Sequence, residues 1–157
     1  MVDEDQIAAL LERLLAMPER IAAAVAGWEL GQLRALGPVD GWSAAEILAH
    51  LRASDDIFAP RCYAVLTRDN PPLPDYDERR WAAVVGYSEA RFAPSLTTFR
   101  LRRLELVSTL RRAAPADWLR SGTHETRGPL TLLALAESLV AHEEEHCAQL
   151  QAMPAPW

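Results

Sequence analysis

The chain has 157 residues, half of them hydrophobic and 24% charged, with a formal net charge of −6 and a pI near 5.2. Such values describe one soluble globular domain over residues 1–157, able to bury roughly 70% of the surface that its unfolded chain exposes. The acidic balance argues against nucleic acid as a partner, because that needs a basic face. Cys62 and Cys147 are the only cysteines and do not make a secreted disulfide framework. The N-terminus, MVDEDQIAAL, lacks the basic region and apolar run of a signal peptide. No stretch approaches the ~18 uninterrupted apolar residues of a membrane span. The expected location is the cytoplasm, with no membrane partner. All sixteen basic residues are arginines and Asn70 is the only asparagine, a bias of codon usage that says little about mechanism.

In chain order, apolar residues recur at three- and four-residue spacing and no alternating β-branched run occurs, so the chain reads as helical almost throughout. A first helix covers about Asp3 to Ala16, with Ile7, Leu10, Leu11, Leu14 and Leu15 as its stripe, and Pro18 ends or kinks it. A further helical piece continues from Glu19 to Leu36, and Gly37-Pro38 stops it. Ser43 with Glu46 three residues on forms a capping box. It opens a long helix carrying Ile47, His50, Leu51, Ser54, Ile57, Phe58 and Leu66, with Pro60 inside. TRDNPPLPDYDERR, with Pro71, Pro72 and Pro74, is the clearest loop and a candidate pocket mouth. A short helix follows at about Asp77–Val85. The next long helix runs from about Pro94 to Ala113 on Leu96, Phe99, Leu101, Leu104, Val107 and Leu110. ADWLRSGTHETRGPL is a structured connection, and Thr131 caps the last helix, Leu132 to Met153, ahead of a PAPW tail. No strand is expected. Four long helices with a long crossing loop predict an all-α, four-helix-bundle architecture.

AHEEEHCAQL, residues 141–150, contains His142-Glu143-Glu144-Glu145-His146, an H-E-x-x-H string. In a zinc protease Glu143 would be the general base. That reading fails here: the third-ligand position of the extended motif is Ala152, no acidic residue follows His146, and no strand edge is expected. The informative feature is spacing. His142 and His146 continue the stripe of Leu132, Leu135 and Leu139, and at i, i+4 they share one face. His50 lies between Ile47 and Leu51 on the buried side of another helix. Three imidazoles on facing stripes can hold one divalent ion. The bland alternative is a solvated cleft whose histidines bind nothing. One residue of rotation, about 100°, carries Glu143 off that face and into solvent and takes Cys147 away from the ion, leaving it a small buried apolar residue. Glu46, one turn before His50, could orient an imidazole in competition with its capping role. Glu143 is a weaker candidate for the same task. His124 sits in SGTHETRG, where fixing the loop through the backbone is favoured over a place in the pocket.

These residues resemble a known family. GWSAAEILAHL matches the W-S/T-x-x-E-x-L-x-H-L signature of the DinB-like metal-binding proteins, and the segment from Trp118 to Leu150 matches their second signature, G-x-H, then G-x-x-T-L, then H-x-x-x-H-x-x-Q-L/I. The resemblance runs from about Trp42 to Leu150. It implies a four-helix bundle holding a divalent metal through His50, His142 and His146, the three histidines that the stripes select. Relatives usually carry Asp or Asn between the last two histidines, where this chain has Glu143, Glu144 and Glu145. The family is similar to the metal domains of mycothiol-dependent maleylpyruvate isomerase and bacillithiol transferases, so the resemblance implies a low-molecular-weight thiol or another small molecule as partner, and a homodimer.

Three protein ligands leave an open position, the mark of a catalytic ion. Such an ion could activate water for hydrolysis or stabilise a thiolate for transfer, and the resemblance favours the thiol S-transferase slightly. Zinc is the default metal, with nickel, iron and manganese compatible. The competing class is a non-enzymatic, metal-binding stress-response bundle, and a metal-free remnant is a third. No catalytic residue and no substrate is identifiable from the residues alone.

Overall fold

A computed structural model describes residues 3–37 and 41–154. The expected stop at Pro38 and the tail after Pro154 lie outside the described residues. Helix α1 spans Glu4–Ala24. The Asp3 carboxylate accepts from the Asp5 amide at 3.0 Å, and Glu4 and Asp5 complement the positive end of the helix. The helix passes through Pro18 without the expected break, since Met17, Pro18 and Ile21 are buried and their packing offsets the missing backbone bond. The piece expected to reach Leu36 stops instead, because Gly27 takes φ +82° and reverses the helical hand. Its first part, through Ala24, is the end of α1, and beyond Gly27 only the single turn α2, Leu30–Leu33, is helical.

Helix α3 spans Ala44–Thr67 behind the expected capping box. The strap that follows contains β1, Pro72–Leu73, and helix α4, Glu78–Val85. Helix α5 spans Phe92–Leu110, then strands β2, Ser121–His124, and β3, Gly128–Thr131, lead into α6, Leu132–Ala152. The Thr131 hydroxyl caps α6 by accepting from the Ala134 amide at 3.1 Å.

The long helices α1, α3, α5 and α6 form the four-helix bundle. Helix α1 packs chiefly against α5 and α6, and so does α3, so α1 and α3 lie diagonally opposed, as do α5 and α6. No helix among the described residues is long and apolar enough to cross a membrane. Two apolar clusters fill the interior. One gathers Leu10, Leu14, Phe58, Leu106 and Leu139, and the other gathers Met17, Leu48, Leu51, Phe99 and Cys147. Leu101 and Leu104, expected on the α5 stripe, are instead 64% and 56% exposed. The buried phase of α5 runs Leu96, Phe99, Arg103, Leu106 and Leu110, and an arginine occupies the slot that hydropathy alone assigns to leucine.

The strands are a correction to the helical reading. β1 pairs parallel with β2, Leu73 opposite His124, and β2 pairs antiparallel with β3. Runs of two to four residues are too short to show alternation in sequence. The sheet ties the strap to the segment before α6, with the Thr123 amide donating to the Pro71 carbonyl at 2.9 Å and the Glu125 amide to the Leu73 carbonyl at 3.1 Å. Gly122 permits this approach: a Cβ there would lie 2.8 Å from the Pro71 carbonyl oxygen and 2.9 Å from Leu73 Cγ. Gly122→Ala is expected to cost about 1–3 kcal/mol through overpacking. Hydrogen exchange checks it: the Thr123 and Glu125 amides should exchange faster in the variant while those of α1 and α5 stay protected.

Candidate metal centre

The α3 phase set by the Ser43 cap turns His50 fully inward, and the Thr131 cap sets the phase of α6. The result brings His50, His142 and His146 together, one ring nitrogen from each lying within 4.8 Å of the others. The three ring centroids are 4.7–4.9 Å apart. Trp42 leans on His50 at 5.0 Å, and Tyr87 presents an edge to both, so the tryptophan before the α3 cap shields this imidazole from water.

Each ring is held differently. His146 Nδ1 lies 2.8 Å from Gln149 Oε1 and donates to it, which leaves Nε2 as the nitrogen for a ligand. His142 Nε2 lies 3.3 Å from Ser54 Oγ, and that hydroxyl also donates to the His50 carbonyl at 3.0 Å. His50 Nε2 is buried with no partner. Burial, reinforced by the two neighbouring imidazoles, pulls the His50 pKa down to about 3. Burial and then His146 pull His142 down to about 4. At neutral pH both rings are uncharged, the form that ligates metals. An orphaned buried nitrogen in a cluster of three imidazoles suits a divalent cation.

A cavity of about 250 Å³ opens onto His142 and His146, walled by Trp42, Glu145 and Gln149 and by Glu78 and Arg79 of α4. The three glutamates between the histidines part company. Glu144 reaches out to Arg13 and Arg20 on α1, at 2.6 and 3.4 Å. Glu145 lines the cavity. Glu143, expected in solvent, is fully buried, because α6 packs against both α1 and α3 and its inward face includes Val140, Glu143 and Cys147 beside the histidine column. Cys147 is the buried apolar residue expected.

Glu143 is tolerated inside because Arg103 Nη2 donates to its Oε1 and, at 2.8 Å, to Asp55 Oδ1. All three side chains are buried, and burial raises the pKa of both carboxyls against the pull of the guanidinium. Their side-chain hydrogen bonds run to one another and not to the histidines, and they tie together the helices that carry them. Asp55, Tyr87 and Arg103 escaped the sequence reading, and Ser54 appears there only as a position on the helical stripe. The available signal was Arg103 itself, a charge in phase with Phe99 and Leu106. Of the candidates for orienting an imidazole, Glu46 stays in its capping box, its Oε2 accepting from the Ser43 amide and hydroxyl at 2.9 and 2.7 Å. Glu143 is committed to Arg103. His124 does what its loop position suggests: Nδ1 accepts from the Thr126 and Arg127 amides at 3.3 and 3.4 Å, away from the other histidines. Removing one partner of a buried ion cluster strands the rest. Arg103→Met should therefore lower stability by about 3–5 kcal/mol, whereas adding Asp55→Leu and Glu143→Leu should recover most of it. Chemical denaturation of the single and triple variants checks this.

The sequence pattern of the DinB superfamily matches residues 13–150. Among individual proteins, the chain is 27% identical over 152 residues to a Geobacillus thermodenitrificans protein named "Putative metal-dependent hydrolase", a match covering 96% of this chain and 83% of that protein. A Bacillus mycoides protein with the same designation is 23% identical, covering 97% of this chain and 87% of its own. In three dimensions the fold is similar to that of YfiT from Bacillus subtilis, described as a probable metal-dependent hydrolase with an unusual four-helix bundle topology. The TM-score is 0.88 at 22% identity, over 96% of this chain and 86% of that one. The fold, both signatures and a match spanning most of the chain converge: the protein belongs to the DinB superfamily.

Proposed function

We propose that the protein is a divalent-metal-dependent hydrolase of small molecules, with its ion held by His50, His142 and His146. The observation that carries this reading is the convergence of three inward imidazoles with an unpartnered, buried His50 Nε2 beside an open cavity. The hydrolase names of the relatives support it. When bound, a divalent ion with three protein ligands supplies a Lewis acid at an open position. Neutral imidazole donors suit zinc, with nickel and iron next and manganese least.

The chain's own residues supply the rest. Gln149 fixes the His146 tautomer, Ser54 steadies His142, and Trp42 and Tyr87 keep water from the back of His50. Glu145 and Glu78 are the carboxylates on the cavity wall, placed to accept a proton from a water entering there. Arg79 offers positive charge on the same wall. Thiol transfer would use the same three histidines. The relatives' names favour hydrolysis over it.

Protein purified without a nickel column should carry about one divalent ion per chain, lost in His50→Ala. Chelation should abolish turnover of ester, amide or phosphoester substrates, and metal should restore it. Glu145→Gln should lower kcat by about 10²–10⁴-fold with metal content unchanged if Glu145 is the proton acceptor. Wild-type protein that neither contains nor takes up a divalent ion would sink this reading.

A further inference from the structure

Arg61 on α3 is 7% exposed, yet among the described residues no carboxylate lies within ion-pair distance of its guanidinium. Its Nη2 donates to the Pro74 carbonyl, its Nε has no partner, and the rings of Phe58 and Tyr76 flank it at 5.8 and 5.9 Å. Buried arginines are almost always paired. Arg103 on the neighbouring helix holds two carboxylates; Arg61 holds none.

Arg61 lines a cleft of about 620 Å³ between α3, the proline-rich strap and Trp81 of α4. Trp81 Nε1 is the second buried polar atom in that wall without a partner. Both orphans are donors, so the complementary ligand brings acceptors. The wall also presents Tyr63, Tyr76, Pro60 and Ile57, which suit an aromatic or apolar body. The acidic residues of the wall are already engaged. Asp75 accepts from the Thr126 hydroxyl at 2.7 Å and the Tyr76 amide at 2.9 Å, and Asp56 pairs with Arg102 at 2.7 Å. Their charges, partly offset by the exposed Arg68 that also lines the cleft, disfavour a dianion and leave room for a single negative charge at the buried Arg61.

The cleft adjoins the histidines through one side chain. Tyr76 lines the cleft and its hydroxyl lies toward Ser54, whose Oγ is 3.3 Å from His142 Nε2. We infer that this cleft binds a small monocarboxylate with an aromatic or apolar body, its carboxylate on Arg61 and Trp81 and its far end directed past Tyr76 toward the histidines. That this molecule is the substrate rests on the hydrolase reading above; that the cleft binds a carboxylate does not.

The test is calorimetric titration of the metal-free full chain with benzoate, benzamide and inorganic phosphate, repeated with the metal-loaded protein. Saturable benzoate binding without metal is expected, weakened at least about tenfold in Arg61→Gln, equivalent to ~1.4 kcal/mol. Arg61→Lys should retain part of it, and benzamide and phosphate should bind more weakly than benzoate. Arg61 also braces Pro74, so Trp81→Phe, which removes one donor and leaves the brace, provides an independent variant with weakened benzoate binding expected. Absence of saturable benzoate binding, equal binding by Arg61→Gln, or tighter binding of phosphate overturns the proposal. Benzoate binding that requires metal and survives Arg61→Gln also overturns it, since the carboxylate is then on the ion. Failure of the hydrolase reading shows separately, in the metal content.

Discussion

The guanidinium of Arg103 is the fixed point of this bundle. It sits at the waist between the two apolar clusters, with Phe99 on one side of it along α5 and Leu106 on the other. Asp55 holds the same level between Leu51 and Phe58 on α3, and Glu143 holds it between Val140 and Cys147 on α6. Three helices therefore present one charged residue each at a single height. A buried ion cluster contributes little net stability compared with well-packed apolar side chains, but it tolerates only one arrangement of its members. A slip of α6 by one turn would exchange leucine for glutamate opposite Arg103, a far costlier mismatch than any apolar slip.

That constraint sets the centre. With Glu143 directed at Arg103, the residues one position before and three positions after it point to the side where α3 carries His50. The adjacent residue Glu144 faces α1 and its arginines. The five-residue segment from His142 to His146 thus serves three neighbours at once: α3, the bundle interior and α1. The small sheet ties the strap down where α3 ends and α6 begins, His124 and Gly122 holding it through backbone contacts, and α4 of the same strap returns to wall the cavity beside His142 and His146.

Legibility in the sequence followed the range of the interaction. Caps are local, so Ser43 with Glu46 and Thr131 could be read from neighbouring letters. Histidine positions were readable because helical phase is set by nearby leucines. Glu143 was misread because a glutamate's burial depends on a partner forty positions away, and nothing near it in sequence announces Arg103. Hydropathy assigns Leu101 and Leu104 to the buried stripe, yet both are exposed while Arg103 is buried, for the same reason. The strands escaped notice because their pairing is between the strap and the segment before α6, each too short for a period. Pro18 was overweighted: a proline interrupts one backbone bond, and buried neighbours on both sides outweigh that loss.

The diagonal placement of α1 opposite α3, and of α5 opposite α6, has a consequence for assembly. His50 is contributed by the second long helix and its companions by the last, and α6 reaches α3 only after the chain has crossed the bundle. No contiguous portion of the chain that stops before α6 contains more than one of the three histidines. The centre therefore cannot exist before α6 has docked against α3, and the same docking brings Glu143 to Arg103. Slow, long-range contacts of this kind are the last to be rewarded in folding. A chain in which the three imidazoles have met is one whose last long helix has already found its place beside the second.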